Sequence, residues 1–201
     1  MSNGITGPLS LMAIALIYNV EIEGQREAIQ KIVSTIDSFR YTLGQTIYWP
    51  ERIKFEEFIN GECMHNGERA SWCYGSPGIA RAIYLAGKAI NNEQYKKTAV
   101  EALDSLCSLS EDLWVLKSPT FCHGYAGSLR ITHCMYLDTG LEKFNCYSDK
   151  ILNKILSFYD ENSPFGFSNI DIIDIQKDIQ YKKFNSCGLL KGSVVECFLP
   201  Y

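Results

Sequence analysis

The sequence lacks what nucleic-acid binders, membrane spans and linkers are made of. It has no run of five or more Lys or Arg, and its formal net charge is -4, so the basic footprint that a phosphate backbone requires is missing. No apolar run approaches the roughly 20 residues that cross a bilayer. The candidate, Ser10 to Tyr18, also lacks a positively charged segment before it and a small-residue cleavage site after it, and Gly4, Gly7 and Pro8 precede it. It is read as a buried helix, not as a secretory signal. Without such a signal, the eight cysteines are expected as reduced thiols and metal ligands in a cytoplasmic protein, not as a disulfide framework. Prolines number only six, and no stretch rich in Gly, Ser or Pro divides the 201 residues; a single domain over residues 1–201 is expected. What is present suits a packed core: 46% of residues are hydrophobic, with twelve Tyr, ten Phe and three Trp, which excludes disorder.

A weak internal repeat organises the chain. Asn3-Gly4-Ile5-Thr6-Gly7, Tyr74-Gly75-Ser76-Pro77-Gly78 and His123-Gly124-Tyr125-Ala126-Gly127 share a G-x-x-G core, and Leu189-Leu190-Lys191-Gly192 keeps the first glycine with Val195 in place of the second. Helically spaced apolar residues follow: Leu9, Met12, Ala13 and Leu16 in one stripe, Ile79, Ala82, Ile83 and Ala86 in another. Amphipathic helices are expected between these runs, over Gly24 to Tyr41, Asn92 to Leu109 and Leu141 to Asp160. Alternation of buried and amphipathic helices suits an all-α fold of two helical layers, an inner set shielded by an outer one, and a helical solenoid closed into a ring would give the same pattern. Short extended segments are expected at Thr46 to Pro50 and Ile53 to Phe55, and Ser163 to Lys183 reads as loop with a short strand or helix.

Two repeats carry cysteine two residues before the first glycine, Cys73 and Cys122, and His123 follows the second. Repeats set equivalent residues at equivalent points, so both thiols are expected at the same end of the inner helices. Two thiolates and an imidazole are good zinc ligands, and three protein ligands leave a fourth position open for water or substrate. Cys63-Met64-His65 is a competing pair whose spacing fits no common zinc pattern. His133 reads as a packed core histidine, and Cys107, Cys134, Cys146 and Cys197 as small hydrophobes.

These segments resemble the lanthionine synthetase C family. Trp72-Cys73-Tyr74-Gly75-Ser76-Pro77-Gly78 is similar to its W-C-Y-G-x-P-G motif, Cys122-His123-Gly124 to its C-H-G motif, Asn3 to Leu9 to its H-G-I-x-G-P-L segment, and Gly188 to Gly192 to its last repeat. The resemblance implies part of an α/α toroid of two helical layers, one Zn2+ per chain on Cys73, Cys122 and His123, and addition of peptide Cys thiols to dehydroalanine or dehydrobutyrine to form thioether rings in lantibiotic biosynthesis. A thiolate is the nucleophile in such a step, zinc favours the thiolate, and the enolate that results needs a general acid. Arg69 and Tyr74 match active-site positions of the family, suited to orienting substrate or stabilising negative charge. The implied partners are a dehydrated precursor peptide and a dehydratase and transporter complex, which would bring the protein to the inner membrane face. Asn3 stands where the family's acid/base histidine is expected and cannot transfer protons at neutral pH. The family's N-terminal half has no counterpart here, and two expectations stand open: the chain is a fragment, or a partner chain completes the ring. Three other readings remain: a zinc-bearing scaffold for a modified peptide or a partner synthetase, a glutathione or small-thiol transferase, and a helical repeat protein without metal. The transferase branch of the family tends to carry histidine where this chain has Tyr74.

Overall fold

Seven α-helices, one short 3-10 helix (Glu111–Trp114) and two antiparallel strand pairs make up the regular structure of the computed structural model among the described residues, 4–63, 69–174 and 180–192. The chain divides into two compact units, Met1–Trp114 and Val115–Tyr201.

In the first unit the best-buried helix is α4, Ser76–Ile90. Ile79, Ala80, Ala82, Ile83, Ala86 and Gly87 all lie inside, as the apolar spacing predicts. Pro77 sits in its first turn, where a missing N–H leaves no hydrogen bond unmade. The helix stops where Asn91 turns left-handed (φ 56°), a conformation that Asn tolerates. Asn92 then caps α5, Glu93–Cys107, by accepting a 3.1 Å hydrogen bond from the Tyr95 N–H. The two helices pack closely because Gly87 has no side chain: a Cβ there would lie 2.9 Å from the Asn92 carbonyl oxygen. α5 buries Ala99, Ala102, Leu103 and Leu106 and turns Glu93, Lys97 and Glu101 to solvent. It is the outer layer to the inner α4.

Two further helices pack in this unit, α1 (Thr6–Ile17) against α4 and α2 (Gln25–Asp37) against both. α2 is amphipathic as expected, burying Ile29, Val33 and Ile36. α1 departs from its reading as a buried helix. Leu9, Ala13 and Leu16 are inside, but Leu11 is 70% and Ile14 41% exposed, because the described elements cover only one side of a helix that is apolar all round. Strands β1 (Tyr41–Leu43) and β2 (Thr46–Tyr48) pair in register Leu43↔Thr46, and the Ile47 N–H donates to Ser105 Oγ on α5 at 3.1 Å. The extended segment expected at Ile53 to Phe55 is not a strand. Lys54 is extended, but Phe55 opens the helix α3, Phe55–Asn60, because the Glu57 carboxylate reaches back 2.8 Å to the Lys54 N–H.

The second unit repeats the helix pair. α6 (Tyr125–Thr139) buries Ala126, Leu129, Ile131 and Met135 and ends at left-handed Gly140. α7 (Glu142–Leu156) buries Phe144, Ser148, Ile151 and Ile155. Between them the Ser148 hydroxyl donates to Thr132 Oγ1 at 3.1 Å, which satisfies a polar pair inside the layer. The region read as loop with a short strand or helix holds an antiparallel pair, β3 (Asn169–Asp174) and β4 (Gln180–Phe184). No described cysteine is in a disulfide. Cys107 is buried as expected, but Cys146 is exposed: it projects from α7 away from the Phe144, Ser148 and Ile151 face. Cys134 is half-buried, and Cys197 lies outside the described residues.

Among the described residues, no helix is long and apolar enough to cross a membrane.

Candidate metal centre

Cys73 is 2% exposed and sits in a turn that its own chain ties tightly. The Ser71 hydroxyl, wholly buried, donates to the Tyr74 carbonyl oxygen at 2.5 Å and accepts from the Tyr74 N–H at 3.2 Å. Gly75 closes the turn at φ +155°, and a Cβ there would fall 1.8 Å from the Arg69 carbonyl oxygen. Only glycine satisfies both conditions. Immediately afterwards α4 begins, so the thiol is held three residues before the first residue of a helix.

The C-H-G loop is built the same way. A Cβ on Gly124 would lie 2.2 Å from the Ser118 carbonyl oxygen and 2.5 Å from that of Thr120. The Tyr125 N–H donates to that same Ser118 oxygen at 2.9 Å as α6 starts. Here φ is -117°, ordinary extended backbone, so the demand for glycine is purely steric. Gly192 shows the pattern again, with a Cβ that would meet Ser186 O at 2.6 Å and Gly188 N at 1.9 Å. The first glycine of each of the last three repeats thus presses on the carbonyl of the residue six positions earlier, Arg69, Ser118 or Ser186. Gly7, from the first repeat, has open space around it.

Cys122 and His123 are therefore presented by one cradle and Cys73 by its counterpart in the other unit. Cys122 is half-buried and its N–H donates to the Leu190 carbonyl at 2.9 Å. The His123 side chain is 12% exposed, with Nε2 3.7 Å from Asp171 Oδ1. Asp171 is further flanked by Lys191 Nζ, 3.7 Å from Oδ2, and its Oδ1 accepts the Ile172 N–H at 3.0 Å. Desolvation pushes the Asp171 carboxyl up, but the Ile172 N–H, His123 and Lys191 together outweigh it and hold the group below the usual carboxylate range. Among the described residues, no three His, Cys, Asp or Glu side chains are gathered as a metal site. Two thiolates and an imidazole are, as donor types, a set that zinc takes.

Arg69 is half-buried, and its carbonyl is the one that Gly75 approaches. Tyr74 is half-buried with the Arg52 guanidinium 5.1 Å from its ring centroid, a cation–π contact. Asn3 lies outside the described residues, as do Met64 and His65 of the competing pair. Cys63 is half-buried, with Sγ 3.9 Å from Arg52 O and from Glu57 Oε2. His133, on α6, is half-buried against the Tyr136 ring. Sequence reasoning missed Arg52, Asp171 and Lys191. The Ile/Asp alternation around Asp171 was the one available signal, and it allowed a short strand or helix without saying what either would face.

The model of the family "Lanthionine synthetase C-like protein" matches residues 1–199. The nisin biosynthesis protein NisC of Lactococcus lactis subsp. lactis is 26% identical over 176 residues, covering 83% of this chain and 40% of that protein. The solved structure of nisin cyclase is similar with a TM-score of 0.73 at 23% identity, over 97% of this chain and 43% of that one. The chain therefore spans well under half the length of either relative. At that identity the structural likeness establishes the fold, and it bears out the all-α class expected from the repeat.

Proposed function

The chain belongs to the lanthionine synthetase C-like protein family, and from that membership we propose that it acts as a zinc-dependent lanthionine cyclase-like protein. In this reading a dehydrated precursor peptide is the substrate. A Cys thiol of the peptide adds to the β-carbon of a dehydroalanine or dehydrobutyrine, and the α-carbon takes up a proton. A C–S bond forms, the S–H proton is balanced by the proton gained at carbon, and the mass of the peptide is unchanged. The observation that carries the reading is the shared placement of Cys73 and Cys122, each two residues before a cradle glycine, with His123 beside the second.

Zinc held by Cys73, Cys122 and His123 would supply acidity to the substrate thiol, so that it reacts as thiolate at neutral pH. The chain's own residues do the rest. The cradle glycines fix each donor loop within its own unit, which lowers the chain entropy that loop would lose on binding. Tyr74, under Arg52, and Arg69 flank the Cys73 turn and are placed in the role of orienting the peptide and stabilising charge that develops on its carbonyl oxygen. Asn3 contributes no proton at neutral pH, so the proton that completes the adduct comes from another group or from water. As in the sequence reading, a dehydratase and transporter complex is the partner and the cytoplasm the location.

Zinc content per purified chain tests the reading first. One zinc in the parent and little in Cys122→Ala is expected, and a folded parent that takes up none sinks it. Incubation with a dehydrated peptide should then consume the peptide thiol without a mass change. Asn3 favours a second reading, a zinc-bearing scaffold that binds the modified peptide without turnover. Peptide binding with no thiol loss supports it, and activity restored by Asn3→His argues for the cyclase instead.

A further inference from the structure

The strand β3 and the turn around Gly188 to Gly192 converge on the loop that carries Cys122 and His123, through contacts all made within the second unit. Asn169, 4% exposed, accepts the Ser118 hydroxyl at 3.0 Å and the Thr120 hydroxyl at 3.3 Å. The Ile170 N–H donates to Ser118 Oγ at 3.1 Å, and the Leu190 carbonyl accepts the Cys122 N–H at 2.9 Å. Three successive residues of one strand, 169 to 171, thus run along the loop, and the third ends at the imidazole. Its carboxylate is itself oriented, by the Ile172 N–H on Oδ1 and by Lys191 beside Oδ2.

We infer that Asp171 is a positioning residue for His123: its carboxylate selects the imidazole tautomer protonated at Nε2 and so presents the Nδ1 lone pair as the metal donor. A neutral imidazole carries one N–H, and which nitrogen holds it is set by the partner of the other. At 3.7 Å from Nε2, a carboxylate oxygen attracts an N–H and repels a lone pair. The Nε2–H tautomer is therefore favoured, and Nδ1 is left as the donor. A carboxylate behind a ligating histidine commonly fixes ring orientation in this way and raises the ligand's basicity. The strand's other contacts, through Asn169 and Ile170, hold the loop at the distance at which this works. The inference rests on the reading of His123 as a zinc ligand, although the tautomer itself is measurable without metal.

The full chain labelled with 15N-histidine contains three imidazoles, and comparison with His123→Gln assigns the one of interest. Long-range 1H–15N correlations in zinc-free buffer should show His123 with the proton on Nε2, and added zinc should shift Nδ1. Asp171→Asn should lose the single-tautomer signature and bind zinc about 10- to 100-fold more weakly. Asp171→Glu should recover the tautomer, which a merely structural role would not require. A dominant Nδ1–H tautomer in the parent overturns the proposal, and that spectrum decides it even where Asp171→Asn fails to fold. An unaltered tautomer and zinc affinity in folded Asp171→Asn overturns it as well. A parent that holds the Nε2–H tautomer but takes up no zinc instead overturns the zinc reading and leaves the Asp171–His123 relation standing.

Discussion

Four glycine-to-alanine substitutions separate the two reasons for which this chain uses glycine. At Gly124 the backbone is extended, so alanine adds no conformational strain, but its Cβ would sit 2.2 Å from Ser118 O and 2.5 Å from Thr120 O. Both obstacles are backbone atoms, held by the Tyr125 N–H and by the hydrogen-bonded Ser118 side chain, and neither can rotate aside. Overpacking of this kind costs about 1–3 kcal/mol, and the rigidity of the obstacle puts Gly124→Ala at the upper end. Gly75→Ala meets an obstacle at 1.8 Å and a φ of +155°, so a backbone penalty of roughly 1–3 kcal/mol adds to the steric one. Gly140 is left-handed with nothing within 4 Å; Gly140→Ala should show the conformational term alone, roughly 1–2 kcal/mol. Gly7, inside α1 with open space around it, should gain about 0.5–1 kcal/mol as alanine. The order of stability is therefore Gly7→Ala, parent, Gly140→Ala, Gly124→Ala, Gly75→Ala. Urea unfolding followed by far-UV circular dichroism and tryptophan fluorescence reads it. The losses at Gly124 and Gly75 are a sizeable fraction of the roughly 5–15 kcal/mol that a domain has in total. Gly124→Ala within about 0.5 kcal/mol of the parent would refute the argument, since that is the scatter of an ordinary surface substitution.

Asn169→Ala removes the acceptor shared by Ser118 and Thr120 and should destabilise by about 1–3 kcal/mol; combined with Ser118→Ala the losses should fall short of additive in a denaturant double-mutant cycle. Native-state labelling with a thiol reagent should modify exposed Cys146 and Cys187 quickly and buried Cys73 and Cys107 slowly, and peptide mapping showing equal rates would contradict the burial described. Ile83→Ala, at a side chain 1% exposed, should cost about 2–5 kcal/mol. Leu11→Ser, on the uncovered side of α1 at 70% exposure, should stay within about 0.5 kcal/mol of the parent in the same unfolding assay.

What could be read in the residues was what repeats. Helical spacing located α2, α4, α5 and α7 because a helix must bury one stripe, and Ile29, Val33 and Ile36 or Ile79, Ile83 and Ala86 mark that stripe without outside help. The glycine cradles were legible for a related reason: a backbone that approaches a carbonyl tolerates no side chain, so the constraint is written at Gly75, Gly124 and Gly192 itself. Cys73 and Cys122 were found by their position relative to those glycines. Exposure was less legible. Whether Leu11 or Cys146 lies inside depends on which other element covers that face, and nothing in its own segment records this. Phe55 failed for a local cause, since an extended Lys54 and a Glu57 that reaches back to cap it turn an apparent strand into a helix.

Asp171 meets His123 in a way that no local pattern records. It is 48 residues beyond His123 and meets it through a strand whose pairing is with β4, and no period links the two positions. Its role depends on a register: Asn169 and Ile170 must both engage Ser118 before the next residue can reach the imidazole. Successive strand residues point to opposite faces, so a slip of one position would replace Asp171 by an isoleucine on either side, Ile170 or Ile172. The alternation of Ile and Asp, which in the sequence says only that one face of a strand is polar, is what makes the slip detectable: a wrong register puts an apolar side chain against His123 and turns the acid to the strand's other face. The strand is thereby specified by the same residue that the imidazole needs, and a charge-removing change at Asp171 should loosen register and imidazole orientation together, whereas Asp171→Glu should preserve both.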